Sequence, residues 1–304
     1  MSLVERALTK MRESGRAVPL GAAAPVPGVK HYAEDPPSLA RLIPESKEEG
    51  IPSSGSSKVV QVNRESLRAN GLLGPENQER RLADEYRQIK RPIIANAMGR
   101  GTERLPKGHL VMVASAVPGE GKTFSSINLA LSLSMEKDIN VLLVDADIPK
   151  PHITRTFALE NELGLQDVLR DETIRVEDLI VRTDVRGLSI LPAGKQSDTA
   201  TELLASERME HIARQLGSHD PHRIVLFDSP PLLLTSESRV LANLVGQIVL
   251  VVRAGFTTQQ MVQEAISYLG EGRSIGLVLN QCETPAKAGY YYGYASAGNG
   301  SPEK

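Results

Sequence analysis

Residues 110–123 read Leu110-Val111-Met112-Val113-Ala114-Ser115-Ala116-Val117-Pro118-Gly119-Glu120-Gly121-Lys122-Thr123, an apolar run that breaks into a glycine-bearing turn and then into a helical pattern. The apolar run has the length and composition of a strand buried on both faces. The turn has the spacing of the phosphate-binding loop G-x-x-x-x-G-K-[ST], with Ala116 standing where the first glycine usually does. Gly119 and Gly121 let the backbone turn its amides inward around a β-phosphate, and the helix that follows adds positive potential at its N-terminus. Strand, loop and helix in this order predict a P-loop, with Pro118, Gly119, Glu120, Gly121, Lys122, Thr123 and Phe124 forming the cofactor-binding segment for ATP. Lys122 is expected to reach the β- and γ-phosphates, and the Thr123 hydroxyl to bind Mg2+.

Outward from this segment the chain alternates between two patterns. Short β-rich runs fall at 110–114, 140–144, 188–191, 223–227, 247–252 and 275–279, and helical patterns lie between most of them, as at 123–135, 202–216 and 258–269. Near-continuous Val, Ile and Leu strands separated by helices imply a parallel sheet covered on both faces. The expected fold is α/β and doubly wound, a mainly parallel P-loop NTPase sheet with deviant Walker motifs and ligands at the carboxyl ends of its strands. Upstream, Leu82, Tyr86, Ile89, Ile93 and Ile94 recur near a 3.6-residue period, so residues 75–100 are read as helical, with Pro92 starting a second helix or kinking the first.

Two strand ends carry acids. Val141-Leu142-Leu143-Val144 runs into Asp145-Ala146-Asp147, and Ile224-Val225-Leu226-Phe227 runs into Asp228. A carboxylate pushed out of an apolar run is costly unless it meets a metal or a cation. Each aspartate alone would serve as a helix N-cap; three of them beside a P-loop favour Mg2+ work. Asp228 matches a Walker B aspartate. Thr123, Asp145 and Asp228 are the expected metal residues, and Lys122, Asp145 and Asp147 the catalytic ones. The residues leave open which of the Asp145/Asp147 pair orients the attacking hydroxyl.

The 304 residues carry 35 Lys and Arg against 37 Asp and Glu, so the net charge of −2 gives no sign of a surface for nucleic acid. Cys282 stands alone, which removes a disulfide framework or a cysteine-rich zinc site. No run approaches the ~18 apolar residues of a membrane span, and the first residues lack a signal-peptide apolar region. The expected location is cytoplasmic, with recruitment to the inner face of the membrane through a partner. Eight of the 19 prolines lie within residues 1–75, beside Ser53-Ser54-Gly55-Ser56-Ser57. Such a composition buries too little apolar surface to order the chain, so residues 1–75 are expected to be a flexible Pro/Ser/Gly-rich region ahead of a 76–282 domain. Residues 283–304 form an expected flexible tail, and within it Tyr290, Tyr291, Tyr292 and Tyr294 make up four of the chain's seven tyrosines. Ten residues from Asn280 to Tyr290 reach roughly 33–36 Å when extended, far enough to enter a site on the same chain or a neighbour. An adhesive or partner-binding tail is the bland reading; beside an ATP site the acceptor role is preferred.

Asp145-Ala146-Asp147-Ile148-Pro149-Lys150-Pro151 resembles the Walker A′ motif of the bacterial tyrosine kinases, and Phe227-Asp228-Ser229-Pro230-Pro231 fits the same family. Gly164-Leu165-Gln166-Asp167-Val168-Leu169, Leu191-Pro192-Ala193-Gly194 and Glu202-Leu203-Leu204-Ala205-Ser206 are also similar to family segments, so the likeness covers about residues 80–294. It looks most like the stand-alone kinases of exopolysaccharide export loci, including exosortase-associated ones. The resemblance implies an ATP-dependent protein-tyrosine autokinase that phosphorylates its C-terminal cluster through an adjacent subunit of a homo-oligomeric ring. Phosphorylation adds about −1.5 to −2 charges per tyrosine, enough to repel neighbouring tails. It further implies regulation of exopolysaccharide synthesis or export, with a membrane polysaccharide co-polymerase (chain-length determinant) as activator. The family's E-x-x-R-x-x-R interface helix is matched here by Asp84, Arg87 and Lys90, which the i, i+3, i+6 spacing puts on one broad face.

Asn280, closing the last apolar strand, reads either as an adenine contact or as a strand-ending turn, and Arg253 either as an aid to phosphate charge or as a loop cap. Two other readings compete. One is a non-catalytic ATP-binding adaptor of a co-polymerase. The other is a positioning or partitioning-type ATPase switch, whose early signature lysine would fall at Val117 and is missing.

Overall fold

The computed structural model describes residues 59–101, 103–195 and 200–282. Along the chain run β1 (Val59–Val60), α1 (Arg64–Ala69), α2 (Glu79–Met98), β2 (Leu110–Ser115), α3 (Lys122–Ser134), β3 (Asn140–Asp145), α4 (His152–Thr156), α5 (Leu165–Arg170), β4 (Val181–Thr183), β5 (Leu188–Leu191), α6 (Ala200–Leu204), α7 (Glu207–Ser218), β6 (Arg223–Asp228), α8 (Ser236–Leu244), β7 (Gln247–Arg253), α9 (Gln259–Ser267) and β8 (Ser274–Asn280). The strands form one sheet in the order β1-β4-β5-β3-β6-β2-β7-β8. From β5 to β8 every pairing is parallel, which joins the six strands expected from the apolar runs.

Alternation along the central strands divides the core into two layers. Leu110, Met112 and Ala114 of β2 face one side with Val225, Phe227, Ile248 and Leu250, against Met209, Ile212 and Leu216 of α7. Val111 and Val113 face the other with Ile224, Leu226, Val249 and Val251, against Ile93, Ala97, Ile127, Ala130 and Leu133 of α2 and α3. Both faces of the sheet are therefore dry, and the carboxyl ends of β2, β3 and β6 open together at one edge of the core.

Three features differ from the sequence expectation. Residues 59–75, expected to be flexible, begin the folded domain instead. β1 pairs with β4, the Val62 N–H donates to Asp184 Oδ1 at 2.8 Å, and Leu67 of α1 is 2 % exposed. Four apolar side chains, Val60, Val62, Leu67 and Leu72, are enough to dock this stretch on the core. The helix around Pro92 is a single 20-residue element. Pro92 offers no N–H to the Gln88 carbonyl, and both residues lie on the helix's exposed side, so the lost bond falls away from the core. The stretch expected as one helix at 202–216 is split, because the Ser206 hydroxyl accepts from the Met209 N–H at 3.3 Å and starts α7 afresh.

Lys90 is a fourth correction. It is 6 % exposed rather than part of a charged outer face. Its ammonium donates to the Ser132 carbonyl at 2.7 Å and pairs with Glu136 at 2.8 Å, tying α2 to the end of α3. Asp84 and Arg87 are exposed and paired with each other. No helix among the described residues is long and apolar enough to cross a membrane.

Candidate active site

β2 delivers the chain into the loop 116–121. Gly119 and Gly121 adopt φ of 79° and 93°, left-handed backbone that a side chain would strain. Between them they turn the loop so that the N–H groups of Gly119, Glu120, Gly121, Lys122 and Thr123 find no acceptor among the described residues. Such a concave run of unpaired donors at the start of a thirteen-residue helix is a seat for phosphate oxygens. Lys122 is the first residue of α3 and is 8 % exposed. Pro118 and Gly119 are exposed at the mouth. The Phe124 ring is packed against the core on the α2 side of the sheet. The Glu120 side chain is fully buried, its carboxylate accepting the Val117 N–H at 2.7 Å and the Thr257 hydroxyl.

The acids converge because their strands are neighbours. β6 lies between β2 and β3, so Asp228 stands beside Val113 on one side and Asp145 on the other. The Thr123 hydroxyl donates to Asp228 Oδ2 at 2.9 Å and the Ser126 hydroxyl to Oδ1 at 2.8 Å, joining loop and acid. Asp145 Oδ2 accepts both the N–H and the hydroxyl of Thr154, each at 2.7 Å. Its Oδ1 is buried and has no partner among the described residues. Asp147 is 6 % exposed, and its carboxylate accepts the Lys150 N–H at 3.3 Å.

Burial governs the electrostatics. It pushes Asp145 up to about 8, helped by the Asp228 charge and opposed by the Thr154 bonds. It pushes Asp228 up to about 6 against the Lys122 ammonium and the two hydroxyls. Asp147 is raised as well, again by burial, with Lys122 and the Lys150 N–H pulling it back. Two carboxylates in register with an unpartnered oxygen between strand ends fit a divalent cation. No set of three His, Cys, Asp or Glu side chains among the described residues would hold a metal unaided. The donor set therefore suits Mg2+ carried with phosphate oxygens, the hydroxyl of Thr123 and the two acids supplying the protein side.

Asn280 lies against the phosphate loop, and the Arg253 side chain lies against the loop that follows β7. The Asn280 amide donates to the Glu120 carbonyl at 2.9 Å, and the Arg253 guanidinium lies over the Phe256 ring at 4.9 Å. The tail tyrosines Tyr290, Tyr291, Tyr292 and Tyr294 lie outside the described residues. Of the described tyrosines, Tyr86 is buried against α3 and pushed by burial up to about 12, which withdraws it from acceptor chemistry. Sequence reading missed Thr154, Ser126 and Thr257. Ser126 was legible as a hydroxyl one residue short of a full turn beyond Thr123 on an otherwise apolar helix face; Thr154 and Thr257 reach their acids only through tertiary contact.

Comparison with known proteins gives a consistent result. A family model described as an AAA domain matches residues 108–267, more than half of the chain. The chain is 29 % identical over 237 residues to the tyrosine-protein kinase YwqD of Bacillus subtilis, covering 77 % of this chain and 96 % of that protein. It is 31 % identical over 190 residues to the tyrosine-protein kinase etk of Escherichia coli K12, covering 61 % of this chain but only 25 % of that one. Among solved structures, the VpsO kinase domain superposes with a TM-score of 0.57 at 29 % identity, covering 69 % of this chain and all of that one. The kinase domain of E. coli ETK gives 0.56 at 26 % identity, covering 70 % and 80 %.

Proposed function

This chain belongs to the AAA-domain family and, within it, to the bacterial tyrosine kinases, and from there we propose that it is an ATP-dependent autokinase whose acceptors are its own Tyr290, Tyr291, Tyr292 and Tyr294. The observation that carries the reading is the bond from the Thr123 hydroxyl to Asp228, which brings the phosphate loop and the acidic strand ends into one site.

In the proposed reaction the unpaired amides of residues 119–123 and the Lys122 ammonium hold the phosphates and take up the charge that develops on transfer. Thr123, Asp145 and Asp228 would hold Mg2+, which when bound would neutralise phosphate charge. Asp147 is the base. It is less buried than Asp145, lies within the field of Lys122, and among the described residues accepts one long backbone N–H bond. Asp145 is pinned by Thr154 and faces Asp228 in register, so a bound cation would favour its carboxylate form, which places it on the metal side rather than at the hydroxyl. The tyrosine oxygen attacks the γ-phosphorus, the bond from that phosphorus to the ADP oxygen breaks, and the phenolic proton passes to Asp147. The partner reading goes with this one: a membrane polysaccharide co-polymerase activates the chain, a ring of copies exchanges tails, and the cycle regulates exopolysaccharide synthesis or export. The motif resemblance supports it.

A variant with all four tail tyrosines changed to Phe tests the reading. It should bind an ATP analogue as the native chain does and incorporate no phosphate; undiminished incorporation would overturn the acceptor assignment.

A further inference from the structure

A loop that turns its N–H groups inward must turn its carbonyls outward, and here three of those carbonyls are held by side chains, two of them from the far end of β8. The Val117 carbonyl accepts the Ser115 hydroxyl at 2.8 Å, the Gly119 carbonyl the Gln281 amide at 3.1 Å, and the Glu120 carbonyl the Asn280 amide at 2.9 Å. A Cβ on Gly121 would run into that same Asn280 amide, so the end of β8 lies directly against the loop. The Glu120 side chain completes the belt from below. With no exposure to solvent, it accepts the Val117 N–H at 2.7 Å, the Arg253 N–H at 3.4 Å and the Thr257 hydroxyl, fastening the loop to its own start and to the end of β7.

The charge of Glu120 sharpens the point. A buried carboxylate in a loop that receives phosphates opposes the ligand electrostatically and is costly to desolvate. A glutamate is tolerable there only if its three donors need an acceptor of that reach. We infer that Glu120 is a positioning residue of the phosphate site, acting with Asn280 and Gln281 as a belt that fixes the inward amides before nucleotide arrives. Its side chain does not touch the nucleotide. The inference rests on the nucleotide-binding reading above and deepens it: affinity arises from a loop held in its bound shape in advance, which removes the ordering cost from binding.

The test compares the native chain with Glu120→Ala, Glu120→Gln and Asn280→Ala. Two quantities are read: affinity for fluorescent ATP and ADP analogues, and hydrogen exchange of the nucleotide-free proteins. Glu120→Ala should weaken both analogues equally, by about tenfold or more, while β2, β3 and β6 keep native protection. Glu120→Gln, which retains one acceptor oxygen, should recover part of the loss. Native affinity in Glu120→Ala, or no recovery in Glu120→Gln with the sheet intact, overturns the belt. If Glu120→Ala unfolds, Asn280→Ala decides alone: a loss of at least about threefold supports the belt and native affinity overturns it. A native chain that binds neither analogue overturns the nucleotide reading instead. In that case faster exchange of the Arg253 N–H and its neighbours 254–257 in Asn280→Ala still supports the belt, and unchanged exchange overturns it.

Discussion

Asp145 and Asp228 stand opposite each other in register on neighbouring parallel strands, and neither exposes any surface to solvent. Both cannot be ionised cheaply without a cation, which is why burial and mutual repulsion hold Asp145 up to about 8.

That relationship has a pH signature in the metal-free protein. The folded state keeps the Asp145 proton to about pH 8, whereas the unfolded chain releases it near the ordinary carboxylate value. The folded state thus binds more protons in between, and this group's contribution to stability falls as pH rises from about 4 to about 8. Asp145→Asn abolishes the titration while keeping an oxygen for Thr154. The stability of Asp145→Asn minus that of the native chain, measured by denaturant unfolding in EDTA, should grow with pH by up to about 1.4 kcal/mol per unit between pH 6 and 8. A flat difference contradicts the buried-pair account.

Asp147 separates chemistry from binding. Asp147→Asn should lower phosphotransfer by roughly 100-fold or more while ATP-analogue affinity changes little. Equal loss of both quantities would move Asp147 from the proton to the metal.

The two charges of the α2 helix should part company. Lys90→Ala removes a buried ammonium and leaves Glu136 without its partner, at a cost of about 2 kcal/mol in chemical denaturation. Arg87→Ala breaks an exposed pair and should cost under about 1 kcal/mol. Similar costs for both would contradict the assignment of Lys90 to the core.

Much of this was legible in the chain. Six strands read from β-rich apolar runs came out as the six parallel ones, because burial on both faces leaves an unbroken apolar signature. The two strands that were missed, β1 and β4, span two and three residues, too short for any period to show. Lys90 was misread for a related reason. Charge spacing along a helix tells which residues share a face, not whether that face meets water or a neighbouring helix. In the site, Lys122, Thr123, Asp145, Asp147 and Asp228 were legible because strand ends and loop spacing fix them locally. The partners that hold the acids, Thr154 on Asp145 and Thr257 on Glu120, were not, since 9 and 137 residues separate each pair in sequence.

Thr154 gives a prediction from that second group. Thr154→Val removes a donor to Asp145 and leaves the buried Ala193 N–H without its acceptor. It should cost about 1–3 kcal/mol in unfolding free energy, whereas Thr173→Val, on the exposed loop after α5, should cost far less.

The central claim is that this P-loop phosphorylates the tyrosines that follow β8, and one measurement addresses it directly. The native chain and Lys122→Met are each incubated with Mg-ATP, alone and with the cytoplasmic segment of a polysaccharide co-polymerase, and phosphate is mapped by mass spectrometry. The account predicts phosphotyrosine at Tyr290, Tyr291, Tyr292 or Tyr294 in the native chain and none in Lys122→Met. ATP turnover with no phosphotyrosine on the tail, even with the activator present, would contradict it.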